Sequence, residues 1–188
     1  MPRCASVASL DVALDSADRP FTSYLLMNQS TSITFRPATP DDAGVLARLR
    51  LQFRSTLAPT VEDDAAFLVR CGTWMAASLA AGNPWRCWVA TDGSSLVGAV
   101  WVCAIEKIPN PVGEPERHFY VSNLYVTPAK RGLGVGTELL SLCLRICDQE
   151  GADAVILWPT PRSRSLYLRH GFEDRDNLLE RRLGHAGS

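Results

Sequence analysis

The feature that most constrains this sequence is a glycine-rich turn, Arg131-Gly132-Leu133-Gly134-Val135-Gly136, which lies between a strand pattern and a helix pattern. Glycines at alternate positions remove three β-carbons, so backbone N–H groups can point at a bound anion and approach it closely. The following helix directs its unpaired first N–H groups and the positive end of its dipole to the same place. The turn therefore predicts a pyrophosphate site, with Arg131 adding a full positive charge.

Two other phosphate-binding motifs do not fit this turn. A P-loop requires Gly-Lys-Ser/Thr at the start of the helix, whereas this chain has Gly136-Thr137-Glu138. A Rossmann fingerprint requires a third glycine where Thr137 stands, and it lies near the start of its domain. A tight structural turn that binds no ligand remains the alternative for an isolated Gly-x-Gly-x-Gly pattern.

Hydrophobic periodicity predicts the order strand, two helices, three strands, helix, strand, helix, strand. The predicted strands cover 33–36, 85–90, 96–108, 118–126, 154–158 and 178–183. The first two predicted helices lie between a cap at Thr39 or Asp41 and about residue 81. The other two cover 137–150 and 163–170. The continuous apolar run from Ala154 to Trp158 indicates a central strand covered on both faces. The crossover from Val126 to Ala154 is a βαβ unit, which gives an α/β domain with a mixed sheet.

The chain of 188 residues is long enough for one domain with a core. We expect residues 1–32 to form a disordered or loosely attached arm, residues 33–184 the folded domain and residues 185–188 a tail, with Met27 as an alternative start. Lys and Arg total 19 against 20 Asp and Glu, a net charge of −1 that argues against a nucleic-acid binder. The chain has no apolar run near the roughly 18 residues that span a membrane.

The six cysteines form no Cys-x-x-Cys pair and no zinc spacing with histidine, so the sequence predicts no metal. Cys143 and Cys147 lie one helical turn apart, and we expect both to fill an apolar helix face. Reduced thiols favour a cytoplasmic protein. An exposed strand edge would allow two chains to pair as a homodimer.

Two motifs together resemble the GNAT superfamily of acetyl-CoA-dependent N-acetyltransferases. The run Arg131–Gly136 matches the family signature of Arg or Gln, two residues, Gly, any residue, then Gly or Ala, and residues 123–128 look like the family's fourth strand. In the second motif, Tyr167 is followed four residues later by Gly171-Phe172. The resemblance covers residues 33–184 and implies a mostly antiparallel central sheet that is splayed between strands 4 and 5, with helices on both faces.

The resemblance also implies a mechanism and a set of site residues. Backbone groups of Leu124 and Val126 would bind the acyl and pantetheine end of acetyl-CoA, the co-substrate. The pyrophosphate would be held by Arg131, Gly132, Leu133, Gly134, Val135, Gly136 and Thr137. The acceptor amine would attack the thioester directly, and Tyr167 is the candidate that protonates the leaving thiolate. The alternative for Tyr167 is a ring packed against the strand with its hydroxyl at the surface.

The general base is the weakest part of the match. Many relatives carry a glutamate on the fourth strand, where this chain has Ser122 and Asn123. Glu106, Glu116 or a chain of water molecules are possible substitutes, and a solvated surface charge is the alternative for each glutamate. The sequence therefore predicts acetyl transfer to a primary amine of a small molecule or peptide, with a non-catalytic acyl-CoA-binding module as the alternative.

The acceptor is expected to contact the first two helices, the loop between them and the proline-rich loop 109–115. Arg50, Arg54, Asp63 and Asp64 lie there and either face the acceptor or, more simply, solvent. Trp158 is the best candidate for a pocket wall, because it ends the fifth strand. The other four tryptophans are expected mostly in the core, namely Trp74, Trp85, Trp88 and Trp101.

Overall fold

A computed structural model describes residues 33–109, 111–175, 179 and 181. The strands are β1 Ile33–Pro37, β2 Trp85–Asp92, β3 Ser95–Glu106, β4 Arg117–Val126 and β5 Ala154–Ile156. The helices are α1 Ala43–Ser55, α2 Asp64–Ser78, α3 Val135–Gln149 and α4 Arg164–Arg169. Single turns of 3₁₀ helix at Pro40–Asp42 and Pro128–Lys130 precede α1 and the glycine turn.

The five strands form one mixed sheet in the order β1-β2-β3-β4-β5. Neighbours from β1 to β4 are antiparallel, and β5 is parallel to β4 because α3 carries the chain back across the sheet. Helices cover both faces, with α1 and α2 on one side and α3 on the other. The predicted fold class, a mostly antiparallel mixed sheet between helices, is confirmed.

The core on the α3 face follows from the periodicity of that helix. Leu139, Leu140, Cys143 and Cys147 are fully buried against Phe119 and its neighbours. These positions recur at helical spacing, and the predicted buried stripe and the packing role of the two cysteines are both confirmed. Truncating Leu139 to alanine would cost roughly 2–5 kcal/mol, because close-packed neighbours only partly collapse into the cavity.

The inner face of α2 was predicted incorrectly in part. The helical pattern predicts an inner face of Ala66, Phe67, Val69, Arg70, Trp74, Ala77, Ser78 and Ala81. Ser78 is buried as predicted, but Val69 and Trp74 are 72% and 47% exposed. The buried side of α2 carries Met75, with Cys71 partly buried one turn before it and Leu68 two turns before it. Because apolar residues surround most of this helix, periodicity alone does not select the face that packs on the sheet.

The start of α1 is fixed by an ion pair with β1. Arg36 donates to both carboxylate oxygens of Asp42, at 2.7 and 2.8 Å, and the Thr39 backbone N–H donates to the same carboxylate at 2.8 Å. The bonded guanidinium lowers the pKa of the buried Asp42 to about 2. These bonds join the first strand to the first helix where a cap at Thr39 or Asp41 was expected.

β5 is shorter than predicted and covers three residues, so Trp158 lies beyond it. Its residues are half-buried, and within the described ranges it pairs with β4, so its central position in the sheet stays a prediction. An apolar run sets burial tendency but not which strands lie beside it. The predicted strand 178–183, apart from Leu179 and Arg181, the arm 1–32 and the tail 185–188 lie outside the described residues. In the described ranges, every helix is too short or too polar to cross a membrane.

Candidate active site

The sheet opens where β4 and β5 separate. Their pairing covers only three positions and ends at Tyr120 opposite Ile156, whereas β4 continues to Val126. In a paired strand, alternate residues present their N–H and C=O groups to each edge. Beyond Tyr120, the β5-side edge of β4 has no strand partner in the described part of the chain. This open edge is the predicted splay, and it offers main-chain hydrogen bonds to an extended ligand.

A β-bulge lies at the start of this open edge. Asn123 has φ +52°, the only positive φ at a non-glycine residue in the described ranges. Asn123 and Leu124 together lie opposite the single residue Val100 of β3, since the register shifts between the flanking pairs. Such a two-against-one arrangement bends the strand and is over-represented at active sites.

The bulge also changes which face the following side chains occupy. Tyr120 contacts Trp85 on the α2 face, and Ser122 lines a cavity on the same face. Simple alternation would place Leu124 and Val126 there too, but both pack against the α3 core instead. Leu124 and Val126, the two residues predicted to bind the pantetheine arm, therefore face α3 in the part of β4 that leads from the bulge to the glycine turn.

The glycine turn has the geometry of an anion cradle. Gly132 and Gly134 have φ values of +77° and +78°, which L-residues with a β-carbon rarely adopt. Glu138 is the first residue whose N–H bonds back along α3, to Gly134 O at 3.0 Å. The amides of residues 132–134 donate to no other described group, and those of 135–137 are the unpaired first turn of the helix. Six consecutive N–H groups are thus available to a ligand.

The side-chain cations near the turn already have partners. Arg131 Nε donates to the Val126 carbonyl at 2.9 Å, and its guanidinium lies over the Tyr125 ring at 5.5 Å. Lys130 Nζ pairs with Asp92 at 2.5 Å. Main-chain amides therefore supply most of the free binding capacity at this turn, and the predicted charge contribution of Arg131 stays a prediction.

Tyr167 lies on α4 and is 8% exposed within the α3-face core. Its ring meets that of Phe172 edge-on, with centroids 5.6 Å apart. Burial is the main cause that raises the pKa of the Tyr167 hydroxyl, so the proton is retained at neutral pH. Core packing holds the Tyr167 ring in place, and the role of its hydroxyl as a proton donor stays a prediction.

Neither candidate glutamate base lies near the bulge. Glu106 is exposed at the end of β3. Trp101 of β3 pairs with Ser122, and Glu106 lies five residues further on, about 17 Å from Trp101 along the strand. Glu116 immediately precedes β4, at the same remote end of the sheet. The ring nitrogens of His170 lie 2.8 Å from Leu166 O and 3.3 Å from Ser141 Oγ, as expected for a helix-end residue.

A cavity of about 330 Å³ opens beside the bulge, within the size range of small-molecule sites. Its wall comprises Arg50, Phe67, Arg70, Cys71, Trp74, Met75, Trp85, Trp101, Ser122 and Asn123. A larger cavity of about 630 Å³ lies at the opposite end of the sheet, beside Glu106 and Arg117. We place the candidate site at the smaller cavity, because only that one meets the open edge of β4.

The aromatic wall of this cavity corrects the sequence interpretation of the tryptophans. Trp101 and Trp88 are buried, as expected, but Trp74 is 47% exposed and its ring lies 5.5 Å from that of Trp85. Trp158, the predicted pocket wall, is exposed and packs edge-on against Tyr120 at 4.9 Å. The rings belong to separate elements, so no local pattern in the sequence brings them together.

The ionisable groups of the cavity are two guanidinium groups and one thiol, and the Ser122 and Asn123 side chains add neutral polar groups. Arg50 Nη1 donates to Asn123 Oδ1 at 3.0 Å, and burial followed by the nearby Arg54 lowers the pKa of Arg50. Arg70 pairs with Glu62 at 2.6 Å. Burial raises the pKa of the Cys71 thiol, which keeps it protonated and a poor nucleophile.

Comparison with known proteins gives one family and many related structures. The model of the acetyltransferase (GNAT) family matches residues 52–172. A predicted acetyltransferase from Clostridium acetobutylicum, solved with acetyl-CoA, is 22% identical over 80% of this chain and 96% of its own, with a TM-score of 0.68. A GCN5-related N-acetyltransferase from Ralstonia eutropha is 23% identical over 81% of this chain and 100% of its own, with a TM-score of 0.65. Glucosamine-6-phosphate N-acetyltransferase from Arabidopsis thaliana is 16% identical over 81% and 99%, with a TM-score of 0.59. No curated protein matches the sequence at a significant level.

Proposed function

This chain belongs to the acetyltransferase (GNAT) family, and we propose that it transfers the acetyl group of acetyl-CoA to a primary amine of a small molecule or peptide. The observation that carries the proposal is the run of six amides at residues 132–137 that have no partner among the described residues, beside the open edge of β4. A diphosphate would accept hydrogen bonds from these amides, and an extended pantetheine arm would bond to the main chain along the open edge of β4. An ordinary structural turn needs neither.

In the proposed binding mode, the coenzyme extends from the N-terminus of α3 along β4 to the bulge. The pyrophosphate accepts hydrogen bonds from the amides of residues 132–137, aided by the dipole of α3. The pantetheine amides then bond to β4 at Leu124 and Val126. The Val126 carbonyl accepts from Arg131 Nε in this structure, so a ligand amide that uses that carbonyl would bond to its second lone pair.

The proposed chemistry is direct transfer at the bulge. The amine nitrogen attacks the thioester carbonyl, the new N–C bond forms and the C–S bond breaks. A β4 N–H at the bulge stabilises the oxyanion, and Tyr167 supplies the proton to the departing thiolate. The protonated Cys71 in the acceptor cavity supports a mechanism without an acyl-enzyme.

The proton released by the amine has no carboxylate acceptor in the cavity wall. We propose that it leaves to water, so the amine reacts from the fraction that is already neutral. The missing carboxylate is also the observation that favours the second candidate function, a non-catalytic acyl-CoA-binding module.

Two measurements on the full chain test these functions. Thermal unfolding with CoA, NAD or ATP should show stabilisation by CoA alone, about 2.7 kcal/mol at a hundredfold excess over Kd. Thiol release from acetyl-CoA should then be followed with a panel of amines. Failure of millimolar CoA to stabilise the protein contradicts the family-based proposal, and binding without thiol release for every amine favours the non-catalytic module.

A further inference from the structure

We propose that the acceptor is a small amine that carries a carboxylate next to an apolar body, such as an apolar or aromatic α-amino acid. This inference rests on the acetyl transfer proposed above and names the substrate class of the same site. It is carried by the charge and the shape of the cavity between α1, α2 and the β4 bulge.

The cavity is where an acceptor must bind if the coenzyme lies along the open edge of β4. Ser122 and Asn123 are at once part of the cavity wall and within the first three residues of β4 beyond its pairing with β5. An amine in the cavity therefore meets a thioester at the bulge from the α2 face. Leu124 and Val126 turn to the other face, so the two substrates do not compete for the same side chains.

Arg50 provides an anion site in this wall. Its guanidinium is half-buried, and its hydrogen-bond partner is the neutral side-chain oxygen of Asn123. No carboxylate in the described ranges pairs with it, and the nearby charge of Arg54 has the same sign. A guanidinium has five N–H donors and binds a carboxylate through two parallel hydrogen bonds, so most of its capacity is unused here.

The remaining charges in the cavity do not offer a site for a second cation. Arg70 is also positive and is neutralised by Glu62, whose carboxylate bonds to it at 2.6 Å. A polyamine or other polycationic acceptor would bring its charges towards the Arg50 guanidinium, which has no carboxylate partner in the described ranges. An acceptor with one amine and one carboxylate instead offers Arg50 its missing counter-charge.

The aromatic wall selects the rest of the acceptor. The rings of Trp74, Trp85 and Trp101 lie 5.5 to 6.2 Å apart, and Phe67 and Met75 complete the apolar surface. Trp74 is half-exposed, so a bound apolar side chain would remove ring surface from water. Aromatic side chains gain further from edge-on contacts with these rings. The neutral amine and acetyl-CoA give the N-acetyl amino acid and CoA thiol, and the one proton released to water overall is the proton that the ammonium form loses beforehand.

Matched amine pairs test the inference on the wild-type protein. L-phenylalanine, L-tryptophan and L-leucine are each compared with the amine that lacks only the carboxylate, namely 2-phenylethylamine, tryptamine and 3-methylbutylamine. We expect kcat/KM, expressed per concentration of neutral amine, to be about tenfold to a hundredfold higher for at least one amino acid than for its decarboxylated partner, as for a charge-assisted hydrogen bond. Equal or faster acetylation of the decarboxylated amines in all three pairs overturns the inference.

Variants then assign the effect to Arg50. Arg50→Gln should reduce the ratio within each pair to about one, and Arg50→Lys should restore part of it, while Kd for CoA stays within twofold in both. Arg48→Gln, exposed on the same helix outside the cavity, is the matched control and should leave the ratio unchanged. A ratio that survives Arg50→Gln also overturns the inference.

The failures of the two proposals are distinguishable. If only the acceptor inference is wrong, CoA still binds. In that case thiol is released with amines that lack a carboxylate, or none of the three amino acids stabilises the CoA-saturated protein. Absence of CoA binding in the wild type overturns the proposed function itself.

Discussion

Replacing Gly134 with alanine separates the conformational role of the glycine turn from its binding role. Gly134 at the start of α3 and Gly151 just after its end have nearly equal φ values, +78° and +73°, and a β-carbon at either position would meet no atom within 4 Å. The left-handed conformation costs an L-residue roughly 1–2 kcal/mol. Gly134→Ala and Gly151→Ala should therefore reduce the free energy of unfolding by about the same amount, measured by urea denaturation.

Only the first substitution should weaken coenzyme binding. Gly134 lies inside the run of free amides at 132–137, whereas Gly151 lies beyond the far end of the helix. Relaxing φ at Gly134 turns at least one of these amides away from the phosphate, and a hydrogen bond to a charged group contributes about 1.5–3 kcal/mol. We expect Kd for CoA to rise about tenfold to 150-fold in Gly134→Ala and to change less than twofold in Gly151→Ala.

Calorimetric titration with CoA and with pantetheine completes the design, because pantetheine lacks the pyrophosphate. The affinity for pantetheine should be equal in both variants and the wild type. If Gly134→Ala bound CoA as the wild type does, or if Gly151→Ala lost as much affinity, the amide cradle would not be the phosphate site. An equal loss for pantetheine would show a general distortion rather than a lost phosphate contact.

Three further predictions concern proton transfer and stability. Tyr167→Phe should lower kcat by at least about a hundredfold with Kd for CoA within twofold, and unchanged single-turnover rates would remove Tyr167 from the mechanism. Because no carboxylate lines the cavity, kcat/KM should rise about tenfold per pH unit up to the amine pKa, and a plateau below pH 7 would indicate an enzyme base. The low pKa of Asp42 contributes at most about 2 kcal/mol of stability, fully present above its unfolded pKa of about 4 and lost as pH falls towards 2. Asp42→Asn should thus destabilise the protein at pH 7 but not at pH 2, whereas an equal loss at both would point to packing.

Much of the architecture was predictable because it rests on local patterns. The turn at 131–136 combines three glycines with a strand before it and an amphipathic helix after it, and all of these are read within about thirty residues. The buried stripe of α3 follows from its helical period, and so does the packing of Cys143 and Cys147. The splay was expected from the family resemblance, and the structure accounts for it by pairing that stops at Tyr120.

The errors fall where a pattern leaves more than one solution. The inner face of α2 is ambiguous because apolar residues surround it, and the choice is made by packing against β2 and β3. β5 ends at Ile156 rather than at Trp158, since an apolar run does not by itself set how far a strand stays paired. The cytoplasmic location, the possible homodimer and the roles of Tyr167, Leu124 and Val126 stay predictions.

The sequence by itself determined the order of elements, the glycine turn and the family, because backbone preferences and hydrophobic periods act over short stretches of chain. The tertiary structure alone decided the cavity beside the bulge. It brings Arg50 within 3.0 Å of Asn123, 73 residues later in the chain, and places Trp74 against Trp85. It also decided the bulge, since strand register depends on pairing partners rather than on the strand's own residues.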